Sequence, residues 1–120
     1  MAGKGVELSF GMTRDPQFGP ILMVGAGGVL IEMLKDRRFA LPAFGPEEAR
    51  RHLDLLALRP LLDGKRGAPP ADIAALAQAL SRFSVLAADL GDFIAEMDVN
   101  PLIAGPQGCM ALDALIVPRS

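Results

Sequence analysis

Phe93–Val117, FIAEMDVNPLIAGPQGCMALDALIV, decides the fold: two apolar-rich segments flank the turn Gly105-Pro106-Gln107-Gly108. Proline fixes φ and glycine admits positive φ, so this tetrapeptide reverses the chain. Phe93 to Ala104 and Cys109 to Val117 then read as the strands of a hairpin. If Ala104 pairs with Cys109, paired residue numbers total 213, and Asn100 falls opposite Asp113. Directly opposed side chains stand about 5 Å apart on one face. Asp98 lies two residues from Asn100 and shares its face.

An amide oxygen, a carboxylate and a second acid form a set of hard oxygen donors. Such a set suits Mg²⁺, which takes one or two protein oxygens and completes its octahedron with water and substrate phosphates. A plainer reading stays open, because Asn-Pro commonly starts turns and strand acids are often only solvated. The sequence around Asp113 favours the metal: Leu112, Ala114, Leu115 and Ile116 are all apolar. An acid buried in such a run is costly unless something pairs with it.

Upstream, Val6, Leu8, Phe10 and Met12 alternate with Glu7, Ser9, Gly11 and Thr13, the period of a strand with one buried face. Glu7 belongs to the wetter face. Arg14 to Pro20 carries turn chemistry, and Ile21-Leu22-Met23-Val24 is apolar on both faces, as a central strand would be. Gly25-Ala26-Gly27-Gly28 leads into Val29–Leu34, a strand interrupted by Glu32, so these two segments read as a hairpin. Asp36-Arg37-Arg38 reads as a charged turn and Phe39–Phe44 as a short strand. Pro46, followed by Glu47 and Glu48, opens a helix running to about Leu58. A longer one starts after Pro69-Pro70-Ala71-Asp72, with Ile73, Leu76, Ala77, Leu80, Phe83, Ala87 and Leu90 on one face, Ser81 mostly off it, and Gly91 at its end. The order β-β-β-α-α-β-β predicts an α+β fold, a largely antiparallel sheet with two main helices packed on it.

The chain of 120 residues has room for a single domain spanning 1–120. Its net charge is −2, with Lys and Arg scattered and no basic stripe, which argues against nucleic acid as partner. One cysteine, Cys109, excludes an internal disulfide and fits a reducing compartment. No apolar run approaches the ~20 residues that span a bilayer, and Met1-Ala2-Gly3-Lys4 lacks the apolar segment of a secretory signal. Cytoplasmic residence without membrane association is the expectation.

Asp98-Val99-Asn100-Pro101-Leu102, with Asp113 thirteen residues after the Asn, resembles the closing hairpin of succinyl-CoA synthetase β subunits and ADP-forming acyl-CoA synthetases. Four further segments resemble the same family in the same order: Glu7–Gly11, Asp15–Pro20, Gly27–Glu32 and Pro60–Gly67. The resemblance implies the carboxyl-terminal half of an ATP-grasp module. It implies Glu7 as a nucleotide contact, Asn100 and Asp113 as ligands of a Mg²⁺ that bridges the phosphates of ATP or ADP, and Asp98 as an acid beside the reacting phosphoryl group. The family activates a carboxylic acid with CoA through an acyl phosphate and a phosphohistidine. Its phosphate-contacting lysine and adenine clamp precede the equivalent of Glu7, and its CoA-binding and phosphohistidine domains have no counterpart in these 120 residues. Turnover by this chain alone is therefore not expected.

Other residues keep two readings. Glu32 either pairs with Arg37 or Arg38 or faces the nucleotide cleft, where the resemblance places it as a cofactor contact. Gly25–Gly28 suits a tight turn better than a phosphate loop, since a strand-like segment follows it. Arg66 is a phosphate or domain contact, or a solvated loop cation. His52 matches no family histidine and reads as a boundary residue. Two functions compete: an enzyme fragment that binds Mg-nucleotide, and a non-catalytic interaction module that docks on a partner nucleotide-binding domain or homodimerises through apolar strands.

Overall fold

The computed structural model describes residues 5–27, 36–64 and 69–119. Strand β1 (Val6–Asp15) turns through Asp15 and Gly19 into β2 (Gly19–Ala26), and β2 pairs on its other side with β3 (Arg37–Ala40). Helix α1 (Pro46–Asp54), a 3-10 turn (Arg59–Asp63) and helix α2 (Ile73–Leu90) follow. The chain closes with β4 (Ile94–Gly105), β5 (Gly108–Ala111) and β6 (Ala114–Pro118). The sheet runs β3-β2-β1-β4-β5, with β6 beside β5 on the same flank of β4, and every pairing is antiparallel. This is the expected α+β architecture.

The alternation in β1 becomes burial. Leu8, Phe10 and Met12 are sealed beneath the helices with Leu22 and Val24 of β2 and Leu76, Leu80 and Phe83 of α2. The Phe10 and Phe83 rings meet at 5.7 Å in a tilted pair. Each such side chain contributes about 1.5–3 kcal/mol by leaving water. The opposite face of the sheet carries no described helix; of the alternate residues of β1, Glu7 is half-buried and Thr13 exposed, while Ser9 and Gly11 between them are buried.

Several local expectations need correction. Asp36 is not the tip of a charged turn. It is 8% exposed, and its two carboxylate oxygens accept the N–H groups of Ala57 and Leu58 at 2.7 and 2.8 Å. With Asp36 held there, Arg37 and Arg38 begin the strand, which ends at Ala40, before most of the stretch expected to form it. Ser81 is buried, not off the helical stripe: Ser81 Oγ donates to the Phe44 carbonyl at 2.7 Å, and Ser84 Oγ accepts the Phe44 N–H at 3.1 Å. The two serines thus tie α2 to the segment entering α1. Helix α1 stops at Asp54, four residues early; residues 55–58 run through turns, and the 3-10 turn begins only at Arg59. Gly91 does end α2, but with φ −57° and not a left-handed cap; a Cβ there would stand 2.5 Å from Pro20 Cγ. At 18 residues and mean hydropathy 1.4, α2 is long and apolar enough to cross a membrane by length and composition. Its buried stripe against the sheet makes it the core helix here. The expected strand 29–34, Glu32 and Arg66 lie outside the described residues.

Candidate metal and nucleotide site

The β4–β5 turn sets the site. Ala104 pairs with Cys109, Ile103 with Met110 and Leu102 with Ala111, each pair totalling 213. The same register resumes beyond a break at Leu112–Asp113, where Val99 pairs with Ala114 and Asp98 with Leu115. Within the break the Asn100 N–H donates to the Asp113 carbonyl at 3.1 Å, and the Leu112 N–H to the Pro101 carbonyl at 3.0 Å. Asn100 and Asp113 are therefore direct cross-strand neighbours. Helix α2 anchors the hairpin: Asp72 caps it, accepting the Ala75 N–H at 3.0 Å, while the Asp72 N–H donates to the Gly105 carbonyl at 2.9 Å.

On its other flank β4 contains a bulge that the sequence reading did not anticipate. Leu8 pairs with Leu102 and Phe10 with Val99, so Asn100 and Pro101 together oppose Ser9 alone. The Asn100–Pro101 peptide bond is cis. An extra residue reverses the facing of everything beyond it. Asp98 and Leu102, four apart, would otherwise share a face. Instead Leu102 is 6% exposed in the core, while Asp98 lies over Gly11 on the opposite face. The sequence carries no clear sign of it, since Val99 and Ile103 are as apolar as Leu102 and Ala104, and only burial separates them.

Asp98, Glu96 and Asp113 form an acidic group around this bulge. Burial, then the charges of Glu96 and Asp113, hold the Asp98 carboxyl above the usual carboxylate range. Glu7 sits half-buried at the far end of β1, opposite Ile103, and its carbonyl accepts the Gly27 N–H at 3.0 Å. Asp113 is exposed, and so are Leu112, Leu115 and Ile116. The premise that the apolar run buries the acid therefore fails, because nothing described packs against this flank. Asp113 Oδ1 accepts the Ala114 N–H at 2.9 Å. Among the described residues no group of three or more His, Cys, Asp or Glu side chains is arranged to hold a metal. The donors available are one amide and the acids beside it, a set that suits a cation sharing its coordination with phosphate oxygens. His52 stands apart on α1, with Nε2 3.2 Å from Glu48 Oε2 and its ring 5.1 Å from that of Phe44.

Residues 1–117 match the family model of the ATP-grasp domain. The chain belongs to the ATP-grasp family. Within it, this ATP-grasp chain is 40% identical over 119 residues to the β subunit of an ADP-forming acetate–CoA ligase II of Pyrococcus furiosus, covering 98% of itself and 50% of that subunit. It is 41% identical over 117 residues to an ADP-forming acetate–CoA ligase I of Archaeoglobus fulgidus, covering 98% of itself and 17% of that protein. Among solved structures it is similar to acetyl-coenzyme A synthetase 1 of Candidatus Korarchaeum cryptofilum in complex with coenzyme A and Mg-AMPPCP. There the TM-score is 0.86 at 42% identity, over 96% of this chain and 54% of that one. The chain thus spans about half the length of the β subunit it matches, and the relatives are ADP-forming acyl-CoA ligases.

Proposed function

We propose that this chain is the Mg-nucleotide-binding portion of an ADP-forming acid–CoA ligase, the carboxyl-terminal part of an ATP-grasp module that does not turn over alone. The observation carrying the proposal is the backbone register that sets Asn100 against Asp113, with Asp98 two residues before Asn100 and its carboxylate over Gly11. Asn100 and Asp113 would hold the cation, and Glu7 would contact the nucleotide. Asp98 would stand beside the transferred phosphoryl group. Glu32, outside the described residues, remains a proposed nucleotide contact. When bound, Mg²⁺ would neutralise phosphate charge and fix the phosphates for in-line transfer. The raised proton affinity of Asp98 supports a site in which acids await a cation. Cytoplasmic residence, a second ATP-grasp half and CoA-binding domains as partners go with this reading.

Titration of the chain with MgATP or MgADP, followed by amide NMR, tests it. Shifts at Asn100 and Asp113 saturating in the millimolar range are expected. Their absence would overturn a retained site.

A second reading, a non-catalytic interaction module, is favoured by one observation: Met110, Leu112, Leu115 and Ile116 leave an exposed apolar flank on β5 and β6. Concentration-dependent dimerisation in light scattering, together with an unchanged NMR spectrum under MgATP, would decide for it.

A further inference from the structure

Gly11 stands midway along β1 with Met23 of β2 as its direct partner on one side and Asp98 of β4 on the other. Glycine inside a strand costs about 0.5–1 kcal/mol relative to alanine and usually answers a need for special backbone or close approach. Gly25 and Gly27 show such a need, because a Cβ at either would meet backbone oxygen at 2.3 and 2.4 Å. Gly11 does not. Its φ is outside the left-handed region, and a Cβ would find only ordinary contacts, 3.5 Å to Met23 Cε and 3.6 Å to Asp98 Oδ1. Packing accepts alanine here. Any further atom, extending about 1.5 Å beyond Cβ, would enter the space where the thioether methyl and the carboxylate converge.

We infer that Gly11 is a positioning residue of the nucleotide site: with no side chain reaching beyond a methyl at this strand position, the Asp98 carboxylate can lie over β1, where it would meet a magnesium–nucleotide. The clearance sets an upper limit on size here, a side chain no larger than a methyl. This rests on the nucleotide reading above, so the experiment separates the two.

Gly11→Ala, Gly11→Val and Gly11→Val/Met23→Ala are compared in the 120-residue chain, with Gly11→Ser replacing Gly11→Val should the latter not fold. MgATP is titrated with Asn100 and Asp113 amides as readout. Gly11→Ala is expected to bind within about twofold of the parent and Gly11→Val about tenfold more weakly, with the double variant recovering most of the loss because space returns on the Met23 side. A ligand-free crystal structure of Gly11→Val is expected to show the Asp98 carboxylate displaced, and that of the double variant to show it restored. Parent-like affinity in Gly11→Val, or an unmoved Asp98, overturns the inference while leaving the nucleotide reading intact. If the parent itself shows no MgATP response, the nucleotide reading falls, and with it the role of Gly11 in that site. The purely structural claim about Asp98 is then decided by the crystal structures.

Discussion

The Asn100 N–H donates to the Asp113 carbonyl across 3.1 Å, at the point where the partner of β4 changes from β5 to β6. The bond is made by backbone, so the register that sets the two side chains opposite does not depend on either side chain. Asp113 is exposed, and exposed substitutions usually change stability by less than about 0.5 kcal/mol. Asp113→Ala should therefore leave the thermal midpoint nearly unchanged while abolishing the MgATP-induced shifts. A variant that unfolds, or one that keeps the shifts, contradicts the assignment of Asp113 as a ligand.

Asp98 offers a pH-dependent test. Its folded carboxyl binds a proton more tightly than the unfolded one, through burial first and then Glu96 and Asp113. The stability this supplies is present below the ordinary carboxylate pKa and is lost as pH rises through the folded value. At neutral pH the ionised group opposes folding. Asp98→Asn should raise the thermal midpoint at about pH 7, with the gain shrinking toward about pH 4. A lowered midpoint at neutral pH would mean the carboxylate is stabilised by something other than these neighbours.

Asp36 is the buried acid whose role is structural. Its carboxylate satisfies two N–H groups of the chain leaving α1, and alanine would strand both. Losing a buried partner costs about 1–3 kcal/mol per group, so Asp36→Ala should lower unfolding free energy by about 2–4 kcal/mol in urea, and Asp36→Asn by less. A loss below about 1 kcal/mol would show that water replaces the carboxylate.

Cys109 should react sluggishly. Burial, then the charge of Asp72, push its thiol up, and only the thiolate is nucleophilic. Alkylation by iodoacetamide should run slower in the folded chain than in denaturant, with its pH profile displaced upward. Asp72→Asn keeps a good helix cap while removing the charge, and should move the profile part of the way back. Equal folded and unfolded rates would contradict the burial.

The final hairpin was legible because it is local. A four-residue turn admits one register, and that register alone sets Asn100 against Asp113. The β1 face, the proline-led start of α1 and the start of α2 after Asp72 were legible for the same reason, since each depends on neighbours within a few residues.

Tertiary structure decided the rest. The apolar neighbours of Asp113 implied burial, yet burial depends on what packs against a strand, and α2 covers β1, β2 and β5 rather than β6. Asp36 and Ser81 looked like surface residues until distant backbone groups, Leu58 and Phe44, supplied their hydrogen bonds. The bulge opposite Ser9 is a relation between β1 and β4, strands some ninety residues apart in the chain. Periodicity states which residues share a face between irregularities; only the packed partner strand shows where one extra residue turns Leu102 to the core and leaves Asp98 on the other face, over Gly11.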